Sequence, residues 1–330
     1  MKCAVIGAGA WGTALADLLA SNGHDTMIWA YEPDVAETID KCHENRFLRG
    51  ARLATTLRAS TDQHEVLRDA AVVIYAAPSP HLRRIANAGA SAVRSDAVLA
   101  VATKGIERGS LALMTSVIES EIAGRAVVAV SGPSFAAEVV ERQPTAVVAA
   151  STREDAALTV QGALSSASFR VYTNDDVTGV ELGGALKNVM AVATGIVEGV
   201  GLGFNSRAAL ITRGLHEMTR LGVALGARAS TFAGLAGVGD LVLTCTGALS
   251  RNRAIGVAIG KGATLDEALA GKETVAEGVF TTSSALELAR KHDVDMPIVE
   301  MAHRILFDGY SARDAVPELM ARELRSEQDL

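Results

Sequence analysis

Up to about residue 173, short β-branched or apolar runs alternate with longer segments of helical period. The runs are CAVIG (3–7), TMIWA (26–30), AVVIYAA (71–77), AVLAVAT (97–103), AVVAVSG (126–132), TAVVAA (145–150) and FRVYT (169–173). Strands that are apolar almost throughout and separated by helices build a parallel sheet covered on both faces. The pattern therefore predicts a doubly wound, Rossmann-like α/β domain. After TNDD (173–176), where Asn174 or Asp175 is placed to cap a helix, strand runs cease and amphipathic helical pattern continues. With 330 residues, more than one hydrophobic core usually spans, the chain divides into an α/β domain over 1–176 and an all-α domain over 177–330. Capping-box spacing marks three further helix starts, Ser151 with Glu154, Thr264 with Glu267 and Ser284 with Glu287. The tail ARELRSEQDL is expected to be a solvated, fraying end.

The first strand runs straight into GAGAWG, which sets Gly7, Gly9 and Gly12 in G-x-G-x-x-G spacing ahead of the helical TALADLLASNG. The first glycine permits a tight turn, the second lets backbone approach a diphosphate, and the third lets helix pack on strand. Following the first strand of an alternating pattern, this is a dinucleotide site. Tyr31 and Glu32 lie just past the second strand, where an adenosine ribose would sit. An acid there suits a free 2′-hydroxyl and an arginine a 2′-phosphate; none follows the strand, which leans the reading towards NAD.

In ELGGALKNVMAVATGI (181–196) Lys187 is the only cation. At about 100° per residue, Leu182, Leu186, Val189, Val192, Ala193, Ile196 and Val197 gather into one apolar stripe, and Lys187 points away from it. Gly183, Gly184, Ala191 and Thr194 on its side are too small to cover it, so something else must approach that face. Three further stretches suit an anion: TKGIE (103–107) and SGPSFAAE (131–138) at strand ends, and GDLVLTCTGALSRNR (239–253) in the helical half. Ligands of open α/β sheets bind outside the carboxyl ends of the strands. In SGPSF, Gly132 allows close approach, Pro133 can open a helix, and Ser131 and Ser134 offer hydroxyls. In SRNR, Arg251 is a planar fork suited to a phosphate, with Ser250 and Asn252 as neutral donors.

A composition of 49% hydrophobic and 21% charged residues excludes disorder and fibres. The formal net charge of −7 argues against a general nucleic-acid surface while leaving room for a local anion pocket. Cys3, Cys42 and Cys245 form neither a disulfide framework nor a C-x-x-C pair, and Cys245 is read as a buried, inert thiol rather than a nucleophile. The histidines (His24, His43, His64, His81, His216, His292, His303) show no ligand spacing, so no metal is expected. No signal peptide and no span of about 18 uncharged apolar residues is read, which leads to a cytoplasmic assignment.

In order along the chain, GAGAWGTALA, TKGIE, SGPSFAAEV, ELGGALKNVMAVATGI, NSRAALITRG, GVGDLVLTC, SRNR and VAEGV resemble the bacterial-type NAD(P)-dependent sn-glycerol-3-phosphate dehydrogenases over nearly the whole length. The resemblance implies a C-terminal domain like that of 6-phosphogluconate dehydrogenase, NAD or NADP as cofactor without a metal, and a homodimer. It also implies reduction of dihydroxyacetone phosphate to sn-glycerol 3-phosphate for phospholipid synthesis. Lys187 matches the family's general acid/base. Lys104, Gly132, Ser134, Lys187, Asp240, Ser250, Arg251 and Asn252 match substrate-contacting positions. Gly7, Gly9, Ala10, Trp11, Gly12, Tyr31, Lys104, Ala136, Arg251, Val275 and Glu277 fall on cofactor positions, and Thr244 and Asn188 are neighbours of the site. The chain departs from the family at NRFLRG (45–50), with Phe47 for tyrosine and Arg49 for proline, and the loop AAPSPHLRR (76–84) matches only approximately. Two other readings remain at this point, a related dehydrogenase of another small hydroxyacid and a dinucleotide-sensing module without catalysis.

Overall fold

The structure is a computed structural model that describes residues 1–271, 276–324 and 326. Eight strands form one sheet: β1 (Lys2–Ile6), β2 (Asp25–Trp29), β3 (Arg58–Ser60), β4 (Val72–Tyr75), β5 (Val98–Val101), β6 (Ala126–Ser131), β7 (Thr145–Ala150) and β8 (Phe169–Asn174). Their spatial order is β3-β2-β1-β4-β5-β6-β7-β8. Successive residues point to opposite faces, and both faces are covered. Val5 and Ile28 pack with Leu15 and Leu18 on one side, Ile6, Val73 and Tyr75 with Leu82 on the other.

The sheet differs from the expectation in two ways. β3 has only three residues, all exposed or half-buried, so no apolar run announces it. β7 runs antiparallel to β6, pairing Ala129 with Ala150 and Ser131 with Val148, and β8 then runs parallel to β7. The link between β6 and β7 holds a single five-residue helix, Ala136–Val140, and turns back instead of crossing over. That helix opens three residues after Pro133, the position expected to start it.

Helices follow β8. The longest, Val177–Gly199, is capped by Asp176, whose carboxylate accepts the Gly179 N–H at 2.9 Å. The cap falls two residues beyond Asn174 and one beyond Asp175, the positions expected for it. Every residue from Gly179 to Val197 is buried, so the helix is enclosed on all sides instead of showing one stripe. Leu186 and Val189 face one cluster with Met218 and Phe232, Val192 and Ile196 a second with Ile255 and Ile259, and Val180 a third with Ala129 and Val148 of the sheet. By length and mean hydropathy this helix is apolar enough to cross a membrane, but it carries Glu181 and Lys187, so it is not the uncharged span the sequence lacks, and 94% of its apolar window is buried inside the protein.

Its small residues serve the packing. A Cβ on Gly195 would stand 2.1 Å from the Arg253 carbonyl, and one on Gly199 2.4 Å from the Val257 carbonyl. Reciprocally, Gly256 and Gly260 would meet the carbonyls of Val192 and Ile196 at 2.1 and 2.3 Å. Two glycines one turn apart on each helix thus bring Val177–Gly199 and Arg251–Gly260 into backbone contact.

Of the three capping boxes expected, Thr264 with Glu267 forms as read. Ser151 instead donates to the Val127 carbonyl at 2.7 Å, ahead of a helix that begins at Glu154. Ser284 lies within the helix Glu277–Lys291. The described residues of the tail after Met320 are exposed; residues 325 and 327–330 of it lie outside the described residues.

Candidate active site

β1 delivers the chain into the glycine turn. Gly7 has φ +117°, a left-handed value that favours glycine, and a Cβ on Gly12 would stand 1.9 Å from the Gly7 carbonyl. These two glycines are required by the turn and by the helix Ala10–Ser21 packing on it. Gly9 is different: among the described residues a Cβ there would meet nothing within 4 Å. The fold leaves open space at an uncapped helix N-terminus with no acid in its first turn, which fits a dinucleotide diphosphate. Ala10 and Trp11 border that space half-buried, and the Trp11 Nε1 has no partner among the described residues. Asn45 braces the turn, its Nδ2 donating to the Ala8 carbonyl at 2.9 Å and to Thr13 Oγ1 at 2.7 Å. Sequence reasoning missed this role, because Asn45 lies in the loop that departs from the family and nothing in its neighbourhood points at the turn.

Tyr31, two residues past β2, is 70% exposed and stands edge-on to Trp29. Glu32 occupies the N-cap of the helix Pro33–Cys42. Ala136 is the first residue of its short helix, and Val275 lies outside the described residues. Glu277 opens the helix Glu277–Lys291 and accepts hydrogen bonds from Ser79 N at 3.0 Å and Ser79 Oγ, just past β4. Burial pushes its carboxyl up, against the pull of the Ser79 donors.

The centre forms where the ends of β5 and β6 meet the helices. A π-helical turn, Leu235–Gly239, leads directly into Asp240, which is fully buried. Its Oδ1 accepts from Lys187 Nζ at 2.7 Å and its Oδ2 from Lys104 Nζ at 2.6 Å. Lys187 also donates to Thr244 Oγ1 at 2.8 Å, and Lys104 to the Gly132 carbonyl at 3.1 Å. Ser134 Oγ donates to that same carbonyl at 2.9 Å. The protein itself meets the face of Lys187's helix that the sequence left bare: Gly183 lies under the Ala236 carbonyl, and Gly184 under Ser131 Oγ and the Lys104 stem. The Ser131 hydroxyl is buried and has no partner among the described residues.

Burial brings the Lys187 amine down from 10.5 to about 8; Asp240 opposes the fall and the Lys104 charge adds to it. Burial alone would raise the Asp240 carboxyl, but the two ammonium groups outweigh it and hold it below the usual carboxylate range. Two cations around one carboxylate leave an excess positive charge, suited to an anion. Cys245 is buried beside Lys187, and burial pushes its thiol up to about 11, as an inert thiol requires.

A third set borders this centre. Asn188, next to Lys187, accepts at Oδ1 from Asn252 Nδ2 at 3.0 Å, and Asn252 Oδ1 accepts the Gly278 N–H at 3.1 Å. Ser250 is buried and caps the helix Arg251–Gly260 by accepting from Arg253 N. Arg251 is exposed, within electrostatic reach of Glu277, and its guanidinium makes no hydrogen bond or ion pair among the described residues. Arg253, which sequence reasoning passed over inside SRNR, grips Glu198 with two nitrogens at 2.8 and 2.9 Å and so fixes this helix start. Among the described residues no cluster of three or more His, Cys, Asp or Glu side chains could hold a metal.

The family model described as NAD-dependent glycerol-3-phosphate dehydrogenase N-terminus matches residues 2–157, and that of the C-terminus matches residues 176–317. The chain belongs to the NAD-dependent glycerol-3-phosphate dehydrogenase family. Members of this family named glycerol-3-phosphate dehydrogenase [NAD(P)+] include one from Citrifermentans bemidjiense, 52% identical over 99% of this chain and 98% of its own. Another, from Nitratidesulfovibrio vulgaris, is 49% identical over 99% of this chain and all of its own. The crystal structure of the glycerol-3-phosphate dehydrogenase of Coxiella burnetii superimposes with a TM-score of 0.94 at 40% identity, covering 97% of this chain and 99% of that one. The α/β-then-helical architecture is thus that of the glycerol-3-phosphate dehydrogenases.

Proposed function

We propose that this chain transfers a hydride between NAD(P)H and C2 of dihydroxyacetone phosphate, giving sn-glycerol 3-phosphate, with residues 1–176 holding the dinucleotide and 177–330 the substrate. The observation that carries the reading is the buried Lys187 amine, lowered to about 8 and held by Asp240 beside a second lysine from the sheet. When bound, the reduced nicotinamide supplies the hydride. As C2 gains it, the ketone oxygen becomes an alkoxide and needs a proton within hydrogen-bond reach. Lys187 Nζ gives that proton, and in the reverse direction the neutral amine takes it back. Lys104 draws in the anionic substrate and, as a like charge, eases deprotonation of Lys187. Asp240 keeps both amines in place. Ser250, Arg251 and Asn252 hold the phosphate, which turns binding energy into positioning of C2. The free guanidinium of Arg251 and the fixed helix start beneath it support that role. Gly132 and Ser134 contact the triose from the sheet side. Gly7, Gly9, Gly12, Ala10, Trp11, Tyr31, Ala136, Val275 and Glu277 serve the dinucleotide. The proposal extends to a cytoplasmic homodimer feeding glycerophospholipid synthesis; the family and three free cysteines support it.

Purified protein given dihydroxyacetone phosphate is expected to consume NADH or NADPH steadily and to consume far less with unphosphorylated dihydroxyacetone. No turnover with the phosphate ester, or equal rates with both ketones, would overturn the reading. Arg251→Ala is expected to raise the KM for dihydroxyacetone phosphate about tenfold or more, the scale of charge-assisted contacts, with a smaller change in kcat. An unchanged KM would put the phosphate elsewhere.

A further inference from the structure

The nucleotide's 2′ position is settled at the end of β2, where the chain reads Ala30, Tyr31, Glu32 and Pro33 and carries no cation. The fold brings one there from outside that stretch. Arg46 begins the short 3-10 turn Arg46–Leu48 and pairs through Nη1 with Asp34, the second residue of the helix Pro33–Cys42. Its neighbour Asn45 is buried and bonded to the Ala8 carbonyl in the glycine turn. Arg46 is therefore anchored between the diphosphate turn and the helix start after β2, the two structures that flank the adenosine ribose in this fold.

We propose that Arg46 recognises the 2′-phosphate of an NADP-type nucleotide and that Asp34 holds it ready when that phosphate is missing. The guanidinium lies over the Phe47 ring, 4.9 Å from its centroid, a contact that seats it beside the pair with Asp34. Both members of the pair are substantially exposed, the Arg46 side chain at 41% and that of Asp34 at 60%. An exposed pair of this kind contributes little, so a phosphate dianion that a guanidinium can grip with two N–H groups displaces it readily. With the phosphate absent, Asp34 neutralises Arg46 and Glu32 stands free for a 2′-hydroxyl. One chain thus carries a device for each nucleotide. Phe47, one of the departures from the family, is the platform for the first.

The inference rests on the dinucleotide reading of the glycine turn, and direct binding separates the two. Calorimetry on the full chain would compare 2′,5′-ADP with 5′-ADP, without turnover. In Arg46→Ala, 2′,5′-ADP is expected to bind at least about tenfold more weakly, while 5′-ADP stays within about twofold. Asp34→Asn, which frees the guanidinium, is expected to tighten 2′,5′-ADP, and Arg46→Lys to restore part of the loss. Equal weakening of both ligands in Arg46→Ala, or no weakening of either, overturns the assignment and makes the pair a brace for the loop. If the wild-type chain binds neither ligand, the dinucleotide reading falls and takes this inference with it; binding of 5′-ADP with no Arg46-dependent preference sinks this inference alone.

Discussion

Replacing Lys187 by alanine is expected to cut turnover with dihydroxyacetone phosphate by about 10²–10⁴-fold, the usual worth of a positioned general acid. Nucleotide affinity should change little, because the glycine turn and Asn45 are built without it. Steady-state rates and nucleotide titration on the same preparation check both halves, and near-normal turnover would remove the residue from the chemistry. The wild-type enzyme makes a companion test. Reduction consumes the ammonium form, so its kcat should fall as pH rises through about 8, while oxidation of glycerol 3-phosphate consumes the neutral amine and should rise over the same interval. The stability sign follows from the same shift. The native lysine sits below its unfolded value of 10.5, so the native state holds fewer protons between about 8 and 10.5, and Lys187's contribution to stability improves as pH climbs through that window.

Asp240→Ala should be the most damaging change to the fold itself. Removing one partner from a buried charge cluster costs about 3–5 kcal/mol, and here a single carboxylate compensates two ammonium groups. Denaturant unfolding monitored by circular dichroism should show a large drop in the midpoint. The milder Asp240→Asn keeps the shape and removes the charge that holds Lys187 up. The pH at which reduction fails should therefore move below about 8. A variant with wild-type stability and an unmoved pH profile would show that Asp240 does not govern the amine.

Legibility in the sequence followed how local each determinant is. β1 and the glycine turn could be read because an unbroken apolar run meets a fixed glycine spacing. β3 could not, since three polar-leaning residues at a sheet edge carry no signal. The direction of β7 escaped because a fully apolar strand looks alike in either orientation, and pairing with β6 decides it. At the centre, Lys187 stood out as a lone cation, and the motifs supplied Lys104 and Asp240. That one carboxylate grips both lysines was hidden, because the partners lie 53 and 136 residues apart. The small residues around Lys187 were read as a face that something else must approach, and at Gly183 and Gly184 that something is the protein itself: the Ala236 carbonyl, the Ser131 hydroxyl and the Lys104 stem. Arg46 and Asn45 were invisible because their partners lie across the fold.

The glycine-on-glycine contact between the helices 177–199 and 251–260 bears on molecular size discrimination. Side chains between helices can change rotamer and yield, but here carbonyl meets Cα with nothing in between to give. In the reaction proposed above, the proton donor on one helix and the phosphate seat at the start of the other therefore behave as the two jaws of a locked caliper. In the proposed reaction, a ligand one carbon longer or shorter satisfies one jaw only by leaving the other, so chain length is selected by main-chain geometry before any side chain is consulted.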